Sequence, residues 1–433
     1  MVFRDRRLVG WDGSYQSPPL KVAFLTLGCK LNYAETSTYE RGFLEAGWQA
    51  VPWQEKADVY VVNTCSVTAT ADAKSRNLVR KVLRVNPSAC VVVVGCSAEL
   101  RRGDIESIAG VAKVFGADEK SQLVPWTLAR MAGRPPLQTE FQPVFPAYST
   151  GERTRSFLKV QDGCNNFCKY CTVPFARGES RNVPIAVCVE NARAIAAAGV
   201  KEIVLTGVNT GDFGRTTGEF FLDLIKALNG VEGIERYRIS SIEPNLLSEE
   251  IIGWIASGTK FQPHFHIPLQ TGSDEQLERM GRHYDTDFFR RKIACIRSAM
   301  EGPGKPLVFF GIDVMVGLPG ETEELFEQTR SFIEEIHPAF IHVFPYSRRP
   351  GTPAADMPDQ VPEEEKHRRV AVLEDLCARL QADFYEKNRG VAEKVLFEST
   401  KRGGKMEGYT GNYIRVERPY DASLVNTLVD VIL

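Results

Sequence analysis

Along the first third of the chain, short blocks of β-branched and other apolar residues alternate with longer stretches in which apolar positions recur every three or four residues. The apolar blocks at 21–27, 59–62 and 91–94 run into Gly28-Cys29, Asn63-Thr64-Cys65 and Gly95-Cys96. Between them the spacing predicts helices over 32–46, stopped by Gly47, and over 71–85, ended by Asn86-Pro87. Short apolar strands that alternate with helices predict a parallel sheet covered on both faces.

After Pro135, Pro136, Pro143 and Pro146, which mark a linker, the alternation resumes on a larger scale. Strand-like runs at 156–160, 202–206, 237–240, 264–267, 308–316 and 340–344 are separated by helical stretches. Right-handed connection of such units predicts a partial parallel barrel, (β/α)6, with its chemistry at the carboxyl ends of the strands. A helical pattern over 362–388 ends at Gly390, and runs at 394–398, 413–417 and 428–433 predict a small C-terminal β-barrel. The expected fold class is α/β. The expected organisation is an N-terminal extension (1–20), an α/β domain (21–137), a linker (138–155), a barrel domain (156–388) and a β-domain (389–433).

Composition narrows the function classes. With 43% apolar and 25% charged residues the chain reads as an ordinary globular protein. Its formal net charge of −2 argues neither for nor against a nucleic-acid partner, so only a local basic patch could. No apolar run is long enough to cross a membrane. The Arg-rich first residues have no apolar core, so they do not read as a secretory signal. A cytoplasmic, reducing setting is expected, where the ten cysteines read as metal or redox ligands rather than disulfides.

The position of the cysteines carries more than their number. Cys29, Cys65 and Cys96 each close a separate predicted strand, the edge where open parallel sheets form their ligand crevice. Three thiolates converging there suit an iron–sulfur cluster with one iron left open; three buried structural cysteines are the alternative. Cys90 and Cys188 read as core. Cys164, Cys168 and Cys171 form C-x3-C-x2-C in one loop. Zinc sites usually take four ligands in paired spacing. Three ligands in a tight loop leave an iron free to chelate the methionine end of S-adenosylmethionine. Reductive cleavage of the sulfonium then yields a 5′-deoxyadenosyl radical. An aromatic residue (Tyr170) directly before the last cysteine completes the signature of the radical S-adenosylmethionine superfamily.

Cofactor-binding candidates are Tyr170, against the adenine or as filler under the loop, and the strand-end residues Thr206, Gly207, Ser241 and Gln270. No acid–base catalytic residue is assigned. His264 and His266 share a face of one strand, but without a carboxylate or third histidine in the motif they are not read as a metal site. His266 is expected to face the interior. Arg348 and Arg349 are candidates for phosphate contact. Lys401, Arg402, Lys405, Tyr409, Tyr413 and Arg415 interleave basic and aromatic residues, as RNA-binding β-modules do.

These motifs resemble the methylthiotransferases of the radical S-adenosylmethionine superfamily over about residues 20–433. The resemblance rests on Leu27 to Asn32, Asn63 to Thr68, Gly95-Cys96, Gln161 to Cys171, Pro174 to Gly178, Arg238 to Ser241, His266 to Gln270 and Val316 to Glu321. It implies two [4Fe–4S] clusters, one on Cys164, Cys168 and Cys171 that cleaves S-adenosylmethionine, the other on Cys29, Cys65 and Cys96 that carries the donated sulfur. It also implies a C-terminal TRAM module that grips tRNA. Gly28-Cys29-Lys30-Leu31-Asn32, Cys65 to Thr68 and His342 to Ser347 look like the branch that modifies N6-threonylcarbamoyladenosine at position 37, in the anticodon loop. The branches acting on isopentenyladenosine 37 and on an aspartate of ribosomal protein S12 are the alternatives. Residues 1–20 and Tyr33-Ala34-Glu35-Thr36 depart from the family pattern. Further implied partners are an electron donor such as flavodoxin or ferredoxin and a sulfur source; the chain is expected to be a monomer with no membrane association. A radical enzyme acting on a protein and a zinc-stabilised RNA-binding protein are the competing classes.

Overall fold

A computed structural model of the chain describes residues 8–9, 15–16, 18–135, 142–150, 154–215 and 217–433. Residues 138–141 and 151–153 of the expected linker lie outside the described residues. The chain divides into two compact units, Met1–Phe145 and Pro146–Leu433.

The first unit holds a five-stranded parallel sheet. Its spatial order is Gln49–Ala50, Lys21–Thr26, Val59–Thr64, Cys90–Gly95 and Val111–Val114. The three expected strands are the central ones, and the two unforeseen strands are short edges. Alternation along the strands divides the core in two. Ala23, Leu25, Tyr60, Val62, Val91 and Val93 pack against Val79 and Val82 of helix Ala69–Val85. Val22, Val59, Val61, Val92 and Val94 pack against Tyr39 and Phe43 of helix Lys30–Glu45. Burial on both faces explains why these strands read as unbroken apolar runs. Cys90 lies in the second core, as expected.

In the second unit two three-stranded parallel sheets, Arg155–Lys159, Glu202–Thr206, Arg236–Ile239 and His264–His266, Phe309–Val316, Phe340–Pro345, are joined by parallel bridges Tyr237–Phe261 and Ser241–His266. The six strands therefore follow one another in sequence order, as a partial barrel requires. Cys188 is buried in helix Ile185–Ala197, as expected for a core residue. Helix Glu363–Lys387 leads to a four-stranded antiparallel sheet, ordered Arg415–Pro419, Lys405–Tyr409, Ala392–Arg402, Leu428–Ile432, a TRAM-like half-barrel.

That sheet departs from expectation in two ways. Lys405–Tyr409 is an additional strand, paired across a hairpin whose Gly403 and Gly404 both have positive φ. Such turns favour glycine and match strand twist. Secondly, Tyr409 and Tyr413 are engaged by the barrel. They stack on each other at 4.9 Å, and Arg155 lies over both rings at 4.8 and 5.3 Å, with Arg238 over Tyr413 at 4.8 Å. Both arginines belong to barrel strands, so the aromatic pair is the seam between sheet and barrel. Lys401, Arg402 and Lys405 are exposed; Lys405 and Arg415 pair with Glu417.

Candidate functional site

The three strand-end thiols of the first unit sit where the sheet predicts. Cys29 is the N-cap of helix Lys30–Glu45, Cys65 follows Val59–Thr64 directly, and Cys96 is the first residue of a short helix. Their strands are immediate neighbours. Side-chain bonds to backbone hold the three ends in register. The Asn32 amide donates to the Leu27 carbonyl at 2.8 Å and to the Thr64 carbonyl at 3.0 Å. Asn63 donates to the Asn32 carbonyl at 3.0 Å. Thr64 donates to the Val94 carbonyl at 2.7 Å, and the Ala98 amide returns to its hydroxyl at 3.0 Å. Ser75 donates to the Cys65 carbonyl at 3.1 Å. Gly28, at φ +105°, lies so close to Cys65 that an added Cβ would stand 2.9 Å from its Cβ and 3.0 Å from its sulfur. The first trio thus sits in a tied cradle at the end of three strands, and two of its members stand at helix N-termini.

In the second unit each sulfur of the C-x3-C-x2-C loop accepts an N–H. Asn166 donates to Cys164 at 3.5 Å, Val173 to Cys171 at 3.4 Å, and the Arg282 guanidinium to Cys168 at 3.1 Å. Burial pushes the Cys171 thiol up to about 12, with the charges of Cys168 and Cys164 adding to it; burial also raises Cys164. Three thiols in one loop, Cys168 buried and Cys164 and Cys171 half-buried, repel one another when ionised and call for a cation between them. Cationic iron supplies that charge and deprotonates coordinating thiols, so the donor set fits a cluster in this loop.

Polar side chains tie the loop to the barrel. Gln161 accepts from the Val208 and Asn209 amides, each at 2.9 Å, and donates to the Gly163 carbonyl at 2.8 Å and to Ser180 at 3.0 Å. Buried Asp162 pairs with Lys159 at 2.6 Å and with Arg177 at 2.9 Å. Arg282 also meets Tyr170 at 3.4 Å, Tyr284 at 3.0 Å and Glu243. Burial disfavours its charge, but Tyr284, Tyr170, Glu243 and Cys168 outweigh that and hold it firmly protonated.

The five cofactor candidates divide by environment. Tyr170 packs against Met280, Leu318, Tyr346 and Ala354. Thr206 closes its strand and is buried; Gly207 has no room for a Cβ, which would come 2.9 Å from Gln161. The Ser241 carbonyl accepts from Thr210 at 2.8 Å. Gln270 adopts φ +71° and bridges Val314. The last four all stand at carboxyl ends of barrel strands. Arg349 is buried, whereas Arg348 is exposed and remains available to an anion.

Motif reading missed two groups. Arg282 has no local signature, because its contact with Cys168 spans 114 residues of sequence. His266, not read as a ligand for want of a carboxylate or a third histidine in the motif, finds both on the next two strands, Asp313 and His342.

The comparisons agree with this geometry. Residues 21–116 match the model of an uncharacterized protein family, UPF0004, and residues 158–333 match the radical SAM superfamily. A threonylcarbamoyladenosine tRNA methylthiotransferase MtaB of Bacillus subtilis is 38% identical over 95% of this chain and 93% of its own length. One from Aquifex aeolicus is 36% identical over 92% and 97%. A tRNA-2-methylthio-N(6)-dimethylallyladenosine synthase of Citrifermentans bemidjiense is 32% identical over 95% of each. Among solved structures, the radical S-adenosylmethionine methyltransferase TsrM of Kitasatospora setae shares the fold, with a TM-score of 0.57 at 14% identity over 78% of this chain and 77% of that one. The chain belongs to the radical S-adenosylmethionine methylthiotransferase family.

Proposed function

We infer that this protein inserts a methylthio group at C2 of N6-threonylcarbamoyladenosine at position 37 of tRNA. One observation carries the reading: two separate thiol trios, each at the carboxyl edge of parallel strands, in a chain 38% identical to a threonylcarbamoyladenosine tRNA methylthiotransferase. Cys164, Cys168 and Cys171 hold one [4Fe–4S] cluster, and Cys29, Cys65 and Cys96 hold the other. When bound, these groups supply reductive cleavage of S-adenosylmethionine and the sulfur to be donated, chemistry that side chains alone do not have.

The chain's own part is placement. Gln161, bonded at once to the cluster loop and to the 207–209 turn, fixes the loop against the strand ends where the cosubstrate is expected. Arg282 supplies an N–H and a positive charge to the Cys168 sulfur, and both tune a cluster. Position 37 lies in a loop, where a base is turned out at modest cost. The exposed Lys401, Arg402 and Lys405 of the TRAM-like sheet offer phosphate contacts. A reductant of the flavodoxin or ferredoxin class completes the cycle.

The test is anaerobic. Wild type is expected to carry about eight irons per chain and to convert tRNA bearing threonylcarbamoyladenosine to its 2-methylthio form, read by nucleoside mass spectrometry. Cys29→Ala should keep S-adenosylmethionine cleavage and lose methylthiolation, whereas Cys168→Ala should lose both. Colourless protein containing zinc, or methylthiolation of isopentenyladenosine instead, refutes the reading.

A further inference from the structure

The inner face of the last three barrel strands carries a polar cluster that the cluster chemistry does not use. On strand Phe309–Val316, Phe310, Ile312, Val314 and Val316 are buried at 1% exposure or less, which turns Asp313 to the opposite, inner face. His266 on one neighbouring strand and His342 on the other stand beside it, Asp313 being the register partner of His342. The His266 Nε2 lies 2.8 Å from an Asp313 oxygen. One ligand atom from each of the three residues lies within 4.8 Å of the other two. His342 is exposed, and its ring is flanked by Phe340 at 4.7 Å and by Phe344 at 6.5 Å, the latter 47% exposed.

We propose that His266, Asp313 and His342 bind the threonyl end of the substrate's N6 substituent, with the His342 imidazole donating to its carboxylate and Asp313, held in place by His266, accepting from its hydroxyl. The proposal rests on the reading of the substrate given above. A threonylcarbamoyl group ends in one carboxylate and one hydroxyl; a dimethylallyl group ends in hydrocarbon. An imidazole presents an N–H in either tautomer and two when protonated, and a carboxylate only accepts. The trio therefore offers a donor and an acceptor in the complement a threonyl end requires. A hydrocarbon laid against it makes none of the hydrogen bonds that a hydroxyl and a carboxylate make there, which is how a site built for polar groups disfavours an analogue lacking them. Phe344, on the same face, is placed to stack on a base.

The cluster also stands on the reactive side of the barrel. The strand that ends at His266 runs directly into Pro268 and Leu269, whose carbonyls accept from Tyr284 at 2.6 and 3.0 Å. Tyr284 in turn meets Arg282, which reaches Cys168. Two histidines and a carboxylate are also a donor set for a divalent cation. The His266 Nε2–Asp313 hydrogen bond occupies atoms that an ion would need as ligands, which favours an organic ligand over an ion.

The experiment uses reconstituted full-length protein and two anticodon stem-loops, one with threonylcarbamoyladenosine at position 37 and one with its carboxylate as the methyl ester. Fluorescence anisotropy reads binding, and metal analysis accompanies it. Wild type should bind the acid about 10–100-fold more tightly than the ester, the worth of a charged hydrogen bond. His342→Phe, which keeps the ring and loses the N–H, should bring that ratio close to one. If His342→Phe does not fold, His342→Leu should bring the ratio close to one in the same assay. Equal binding of acid and ester by wild type overturns the proposal, as does a His342→Phe protein that still discriminates. One equivalent of zinc or nickel per chain, lost in His342→Phe, overturns it in favour of a metal site. A wild type that turns over the RNA yet ignores the ester fails this inference alone. A wild type that discriminates but forms no methylthio product fails the functional reading alone.

Discussion

The charge network under the barrel yields a prediction about stability that can be worked from its contacts. Glu202 opens the second barrel strand with its carboxylate 1% exposed. Arg238 grips it with two bonds, at 2.8 and 3.2 Å, and Arg155 and Arg236 each approach to 3.9 Å. The same three guanidiniums hold the C-terminal sheet. Arg238 donates to the Gly411 and Thr410 carbonyls at 2.7 and 2.8 Å. Arg155 reaches the Tyr413 hydroxyl at 2.8 Å and Glu398 at 2.7 Å, and Arg236 reaches the Tyr409 carbonyl at 3.1 Å. Glu202→Gln keeps the shape and leaves buried Arg236 and Arg238 and half-buried Arg155 short of one anion. Removing one partner of a buried pair costs ~3–5 kcal/mol. Gln still accepts one bond from Arg238, so the lower end, about 3 kcal/mol, is expected. That corresponds to a loss of about 6–12 °C in Tm for a unit of this size. Glu386→Gln is the control. Its partner Arg389 is 74% exposed, and the change should cost less than ~1 kcal/mol.

The sign of the pH dependence follows from the same contacts. Burial would raise the Glu202 carboxyl, but Arg238, backed by Arg155 and Arg236, outweighs it and holds the group below the ordinary carboxylate range. A carboxylate depressed on folding contributes stability that is complete above its unfolded pKa, ~4.3, and disappears as pH falls through the folded value. Wild type should therefore lose stability on acidification more steeply than Glu202→Gln, and the two should converge. Calorimetry at neutral pH and again well below pH ~4 reads this. Hydrogen exchange over residues 392–432 locates it. A Glu202→Gln protein that melts with wild type at neutral pH, with the sheet equally protected, would refute the idea that this carboxylate clamps the sheet.

Three further outcomes are expected. Gly28→Ala puts a Cβ 2.9 Å from that of Cys65 at φ +105°, so iron should fall from about eight per chain to about four, while S-adenosylmethionine cleavage persists. Arg282→Met removes the donor and the charge beside Cys168, so the reduction potential of the radical-generating cluster should move negative, as read by an EPR-monitored redox titration; Arg282→Lys should restore part of it. Replacing Lys401, Arg402 and Lys405 together by Ala should weaken tRNA binding and lower the slope of log affinity against log salt by about 0.9 for each phosphate that the protein no longer neutralises.

What could be read from the sequence was whatever depends on neighbours along the chain. The valine runs at 59–62 and 91–94 announced strands covered on both faces, and the cysteine after each was placed by the strand it ends. Six barrel strands were legible for the same reason. Lys405–Tyr409 was not, because Gly408 leaves one of its two inward positions without an apolar side chain, and its register comes from pairing with strands on both sides. Arg282, Asp313 and His342 were invisible as site residues because each acts on a partner brought near only by the fold. Tyr409 and Tyr413 misled for the opposite reason. A basic–aromatic pattern suits RNA, but here the bases stacked on those rings are arginines of this chain's own barrel strands. Composition cannot say which side of a ring is already taken.

The second unit also assigns different tasks to the two ends of the same strands. Glu202 begins a five-residue strand and Thr206 ends it, a rise of roughly 13 Å. At the first end stand Arg155, Glu202, Arg236, Arg238 and His264, all engaged with one another or with the TRAM-like sheet. At the other stand the cluster loop, the 207–209 turn and the trio on Asp313. Charged groups at both ends are buried or half-buried, so burial alone does not separate structural from reactive residues. What separates them is whether the polar partners are satisfied by this chain. Glu202 spends its oxygens on arginines already fixed by backbone carbonyls, and nothing remains to offer a ligand. The loop sulfurs take only single N–H donors and would repel one another as thiolates, and they are completed only by something bound. Substitutions at the first end should therefore move Tm and leave the cluster spectra alone. Those at the second should alter spectra or substrate choice with smaller changes in Tm. A Glu202 variant that changed the EPR signal of a well-folded protein would show that the two ends are coupled.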